Sequence, residues 1–197
     1  MKGTLYWITG LSGAGKTTSG KLLYEHLKRR KDNVVLMDGD TLRVIRDSQD
    51  YSLEGRKRLT YLDSLLFKEL TDQGIDVVAC VISMFDDCRQ WNKQNIENYK
   101  EIYLHVPIEE LIRRDQKKLY SRAIKKEIRN VMGIDLEFEA PKCADIVIEN
   151  YGENNPYETL KIIIKELNLS KRCNRNIRLL KRSMSKNSKD NSISNNN

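Results

Sequence analysis

Three groups of residues carry types and spacings that could do chemistry on phosphate. Gly10-Leu11-Ser12-Gly13-Ala14-Gly15-Lys16-Thr17 reads G-x-x-x-x-G-K-T and follows directly on the apolar run Leu5-Tyr6-Trp7-Ile8. A strand that runs into this motif and on into a helix lets the glycines turn successive backbone N–H groups toward phosphate oxygens, at the positive end of the helix. Gly10, Leu11, Ser12, Gly13, Ala14, Gly15, Lys16, Thr17 and Thr18 are therefore the expected ATP-binding residues. Lys16 would reach the β- and γ-phosphates, and the Thr17 hydroxyl would be the protein's ligand to Mg²⁺.

The second group is Asp38-Gly39-Asp40 with Arg43, at the end of the next apolar run. In an open α/β sheet, ligands gather at the carboxyl ends of strands. Phosphoryl transfer to a hydroxyl needs a carboxylate there to orient the nucleophile, accept its proton or hold water on the metal. Lys16, Asp38 and Asp40 are the catalytic candidates on these grounds. The third group consists of arginines able to clamp anionic oxygens, Arg43, Arg56, Arg113 and Arg114, with Ile82-Ser83 closing a third strand near the same edge.

These residues need a scaffold, and the periodicity supplies one. Apolar runs at 4–9, 34–37, 77–82, 102–106 and 146–148 alternate with helical periods at 16–30, 53–73, 86–98, 108–115 and 157–167. Strand-helix alternation predicts a three-layer α/β fold, a five-stranded parallel sheet with helices on both faces. Gly74 stands where a C-cap glycine would stop the second helix. The charged stretch 116–130 has no clear apolar face, and a mobile basic lid is expected over about 115–135.

The 197 residues suit one domain, 1–169. The formal charge of +7 is matched by the eight Lys and Arg against one Asp in 170–197, so the body is neutral and no nucleic-acid partner is expected. That tail is poor in large apolar residues and is expected to be disordered. Cys80, Cys88, Cys143 and Cys173 form no C-x-x-C pair, and only His26 and His105 could join them, so no zinc site is expected. No run has membrane-spanning length and the chain opens directly on a strand, which points to a cytoplasmic protein without a membrane partner.

The chain resembles the adenylyl-sulfate kinases over 4–167. The resemblance rests on Gly10 to Thr18, Asp38-Gly39-Asp40 with Arg43, Ser52 with Arg56, Ile82-Ser83, Arg114-Asp115 with Lys117 and Leu119-Tyr120, and Gly133-Ile134-Asp135 ahead of Glu139-Ala140-Pro141. It implies a kinase fold and the reaction of ATP with adenylyl sulfate to give ADP and 3′-phosphoadenylyl sulfate. It also implies that Asp40 is the base or magnesium-water holder, and that Arg43 and Arg56 contact the acceptor's anionic bridge. Arg129 would take the place of a substrate-binding lysine, and Arg114 would close over the nucleotide with the lid. Ser83 falls where a phosphoserine intermediate has been described. Direct in-line transfer is the preferred reading, since a site that already positions donor and acceptor gains little from a covalent stop. Family members are often homodimers, and no interface is legible here.

The departures lie on the acceptor side. Leu59, Thr60, Tyr61 and Leu62 replace an Asn and an Ile-Arg-Arg run, Met84 a Pro, Gln116 and Lys118 a Pro and a Gly, and Val131 a base-stacking Phe. Loss of the Phe fits a smaller pyrimidine, with Met84-Phe85 and Trp91 available to rebuild a pocket. The same chemistry on cytidine diphosphoramidate, in capsule phosphoramidate synthesis, is therefore the alternative to adenylyl sulfate. A non-catalytic ATP-binding switch is the reading from another class. Asp38, Asp40, Arg43 and the basic lid argue against it, because a switch needs no acceptor site.

Overall fold

The sheet is organised around its most apolar strand. In a computed structural model that describes residues 1–152 and 154–169, β1 (Leu5–Thr9) is buried along its whole length and occupies the centre of the order β2-β3-β1-β4-β5. The strands β2 (Val34–Asp38), β3 (Asp76–Cys80), β4 (Tyr99–His105) and β5 (Ile146–Glu149) all pair in parallel. β5 alternates buried and exposed residues, as an edge strand with one solvated face should. The basic tail from 170 onward lies outside the described residues. The chain divides into a unit Met1–Ile163 and a second beginning at Ile164, and the helix α7 (Pro156–Glu166) runs across that division.

Alternation along β1 and β3 sends side chains to two layers. Leu5, Trp7, Val77 and Ala79 form one cluster with Phe67 of α3 (Leu53–Asp72), where Trp7 meets the Phe67 ring edge-on at 6.1 Å. On the other face Ile8, Val78 and Cys80 lie against Gly20 of α1 (Lys16–Lys28). Gly20 is there because the helix sits on the sheet so closely that a Cβ would run into Cys80 Sγ. This approach fixes the start of α1, and with it the glycine-rich loop, over the carboxyl ends of β1 and β3.

Two elements are not in the sequence reading. α2 (Gly39–Ile45) opens on Gly39 and holds the β-branched Thr41, Val44 and Ile45, a poor intrinsic helix, and the Asp38 carboxylate caps it by accepting from the Asp40 amide at 3.0 Å. The charged stretch after α5 (Ile108–Arg114) is a 3₁₀ turn, Gln116–Lys118, followed by α6 (Leu119–Ile124), whose Tyr120 and Ala123 are buried. Strand β4 starts three residues before its expected Ile102, and α4 (Asp86–Asn95) stops three short of Asn98. Glu101 is the reason for the hidden strand start. A carboxylate reads as exposed, yet this one is buried between Arg89 (3.2 Å) and Lys93 (3.2 Å) of α4.

Candidate active site

The loop between β1 and α1 is held from behind. Lys16 Nζ donates to the Leu11 carbonyl at 2.8 Å, the Tyr120 hydroxyl to the Ser12 carbonyl at 2.8 Å, and Asn150 Nδ2 to the Ala14 carbonyl at 2.7 Å. With three carbonyls engaged this way and Gly13 and Gly15 at positive φ (79° and 92°), the loop is shaped as an anion cradle at the N-terminus of α1. Asn150 is itself fixed by the Thr159 hydroxyl, 2.7 Å from its Oδ1, and its carbonyl accepts from Arg114 at 3.3 Å. Arg114 therefore stands behind the loop, bound also to Glu110 at 2.8 Å, and does not line the cleft.

In front of the loop opens a cleft of about 390 Å³, a size that takes a small ligand. It is lined by Ser12, Gly13, Gly15, Lys16, Thr17 and Thr18 from the loop and α1, and by Asp38, Asp40 and Arg43 from the β2–α2 junction. Arg56, Leu59, Thr60 and Asp63 come from α3, and Ile82, Ser83 and Phe85 from the end of β3. Five cations, Lys16, Arg43, Arg46, Arg56 and Lys117, face three carboxylates, so the cleft favours anions. Burial pulls the Lys16 ammonium down to about 8, against the raising influence of Cys80, Asp38 and Asp40. A lysine so placed gains most from an incoming phosphate, which restores the stability of its charged form.

The Thr17 hydroxyl donates to Asp38 Oδ2 at 2.6 Å, placing two hard oxygen donors side by side at the mouth of the loop. No group of three or more His, Cys, Asp or Glu able to hold a metal occurs among the described residues. That donor set fits Mg²⁺ in particular, which keeps much of its coordination as water and nucleotide phosphate and takes few protein ligands. Asp40 lies one residue into α2 and is reached from the 3₁₀ turn after α5 by Lys117 Nζ at 2.9 Å, a contact that raises the Lys117 pKa. The backbone of this turn is strained: Asp115, Lys117 and Lys118 all take positive φ, where a residue with a Cβ is disfavoured.

Arg43 and Arg56 converge on one tyrosine. The Arg43 guanidinium lies 4.2 Å from the Tyr51 ring centre and that of Arg56 5.4 Å, and both also bind backbone carbonyls, Arg43 that of Asp50 and Arg56 those of Tyr51 and Asn130. Burial lowers the pKa of Arg56, which remains a guanidinium able to pair with an anion. Deeper in the cleft, Thr60 Oγ1 and Ser83 Oγ share a hydrogen bond of 2.9 Å.

Most sequence-selected residues thus meet in one cleft, and some do not. Gly10, Leu11 and Ala14 form the back of the loop. Arg129 is exposed and outside the cleft wall, and Arg113 pairs with Glu110 on the surface. Met84 and Val131 are buried but do not line the cleft, where Phe85 and Met132 appear instead, and Trp91 stacks edge-on against Tyr61 at 5.4 Å. Asn150, Arg46 and Asp63 were not singled out from sequence. Each acts through a partner far along the chain, and no local spacing marks it.

The comparisons with known proteins agree with this geometry. The sequence profile of a family described as adenylylsulphate kinase matches residues 2–149. The chain is 45% identical to the cytidine diphosphoramidate kinase of Campylobacter jejuni, over 84% of this chain and 96% of that one. It is 38% identical to an adenylyl-sulfate kinase of Picosynechococcus sp., over 74% and 82%. Among solved structures it superposes on the APS kinase of Mycobacterium tuberculosis in complex with AMPPNP and APS, with TM-score 0.77 and 27% identity, over 85% of this chain and 98% of that one. With profile, relatives and cleft pointing the same way, the chain belongs to the adenylyl-sulfate kinase family and is a phosphotransferase that acts on a hydroxyl.

Proposed function

We propose that this protein transfers the γ-phosphoryl group of ATP-Mg²⁺ to the ribose 3′-hydroxyl of cytidine diphosphoramidate. The observation that carries the transfer is the single cleft in which Lys16 and Thr17 face Asp40, Arg43 and Arg56. The glycine-rich loop holds the donor phosphates, and Thr17 with the adjacent Asp38 would hold Mg²⁺, which supplies charge neutralisation on the transferring group. Asp40 orients the acceptor hydroxyl and takes its proton as the bond to phosphorus forms. Lys117 leaves Asp40 for the phosphates when the lid closes, excluding water that would otherwise hydrolyse ATP. Arg43 and Arg56 hold the acceptor's diphosphate. Ser83 contributes position only, its hydroxyl being engaged with that of Thr60.

The acceptor reading is supported by the wall below Arg56, where Leu59 and Thr60 line the cleft, and by the 45% identity to the Campylobacter enzyme. Phosphorylation of adenylyl sulfate is the second reading. It is favoured by the Arg43–Arg56 cradle and by several relatives of 32 to 38% identity that carry that name. Initial rates of ADP release against the two acceptors decide between them: a higher kcat/KM for the cytidine compound supports our reading, and a higher value for adenylyl sulfate replaces it. A cytoplasmic location follows from the need for ATP, and no helix among the described residues is long and apolar enough to cross a membrane. For the homodimer we propose the stripe Leu62, Leu65 and Leu66, exposed along α3, as the contact, and sedimentation of a Leu65→Glu variant as a monomer would bear this out.

A further inference from the structure

The cleft wall beyond Arg56 holds a charged pair, Arg46 and Asp63, contributed by the end of α2 and by α3 and not by the glycine-rich loop. The spacing of Arg56, Leu59, Thr60 and Asp63 puts them on one face of α3, and all four line the cleft. Asp63 is 5% exposed, and its carboxylate is paired with the guanidinium of Arg46, which crosses from the C-terminal end of α2. Leu59 has no polar side-chain atom and Thr60 is engaged with Ser83, so the Arg46–Asp63 pair is the polar feature of this part of the wall.

Stability alone does not account for the pair, because a well-packed apolar couple would join α2 to α3 without the desolvation of two charges. Its position is informative. The neighbouring Arg43 and Arg56 collect anionic oxygens, and a carboxylate among them opposes any ligand end that offers only oxygen lone pairs. It suits an end that offers a hydrogen. The sulfate end of adenylyl sulfate, joined to phosphate as a mixed anhydride, presents three terminal oxygens and no hydrogen, whereas a phosphoramidate carries an anionic oxygen and an N–H group on one phosphorus.

We propose that Arg46 and Asp63 together read the terminal group of the acceptor, the guanidinium binding a phosphoryl oxygen and the carboxylate accepting from the P–NH₂ group. This rests on the acceptor reading above and deepens it: the pair selects amidate over both sulfate and plain phosphate ends, independently of the base. Asp63 thus acts as a specificity residue, and the reacting hydroxyl lies elsewhere, at Asp40.

The test measures kcat/KM for cytidine diphosphoramidate, CDP and adenylyl sulfate in the full chain and two variants. The protein should prefer the amidate to CDP by roughly tenfold or more, the worth of one charge-assisted hydrogen bond. Arg46→Leu with Asp63→Ile keeps the helices joined by an apolar contact, and its melting curve and KM for ATP report whether fold and donor site persist. In that variant the amidate-to-CDP ratio should fall toward one. Asp63→Asn, which keeps the size and removes the charge, should lower the ratio and raise turnover of adenylyl sulfate. An unchanged ratio in both variants would overturn the proposal, as would equal use of amidate and CDP by the unaltered protein, and either leaves the acceptor reading standing. Turnover of adenylyl sulfate with no turnover of either cytidine compound would overturn the acceptor reading and this proposal together.

Discussion

The ammonium of Lys16 gives the donor site a pH dependence of defined sign. Burial holds its pKa at about 8 in the free protein, and a bound phosphate stabilises the charged form, so nucleotide binding above that pH must draw a proton from solution. For one such group the apparent dissociation constant scales as one plus the ratio of neutral to charged lysine. From about pH 7 to about pH 9 that factor rises about tenfold, since the lysine goes from mostly charged to mostly neutral. Over this range the phosphates of the nucleotide are already ionised and add no slope. Isothermal titration with a non-hydrolysable ATP analogue and Mg²⁺, repeated in buffers of different ionisation enthalpy, measures affinity and proton uptake together. At about pH 9 uptake should approach nine-tenths of a proton per site, and Lys16→Met should bind weakly with a flat profile. Constant affinity with no proton exchange across the range would refute the reasoning, because it would mean that the free lysine is already fully charged.

Other expectations follow from the same geometry. Asp40→Asn should lower kcat by about 10² to 10⁴ with little change in the KM for ATP, read from ADP release under saturating acceptor. Gly20→Ala should destabilise the fold by about 1 to 3 kcal/mol in urea unfolding, because the new methyl meets Cys80 Sγ, and Cys80→Ala should recover most of the loss in the double variant. Arg89→Ala should cost about 1 to 3 kcal/mol, since it leaves the buried Glu101 carboxylate with Lys93 alone, and pairing it with Glu101→Leu should be milder than the single change.

The parallel sheet and the phosphate loop were legible because each is written in contiguous residues: a run of apolar side chains, then glycines, Lys16 and Thr17 at fixed offsets. The first turn of α3 was legible for the same reason, with Ser52 accepting from the Gly55 amide at 3.1 Å. What escaped depends on partners distant in the chain. α2 is a helix through the Asp38 cap and the buried Leu42, against its own β-branched composition. α6 shows no apolar period, yet Tyr120 and Ala123 are buried, and Tyr120 reaches back over a hundred residues to the phosphate loop. Asn150 looks like a turn residue after a strand, and its work is done on Ala14. Arg46 and Asp63 are single charges on separate segments of the sequence, and only the crossing of α2 and α3 pairs the buried Asp63 with the half-buried Arg46.

The claim at the centre of this account is phosphoryl transfer to a ribose 3′-hydroxyl. The most direct measurement is phosphorus NMR of the products formed from ATP-Mg²⁺ and cytidine diphosphoramidate, with coupling to the ribose protons read out. The account predicts a new phosphomonoester resonance coupled to the 3′ proton, appearing in step with ADP. Inorganic phosphate in place of that signal, or a phosphoryl group on any other atom of the acceptor, would contradict it.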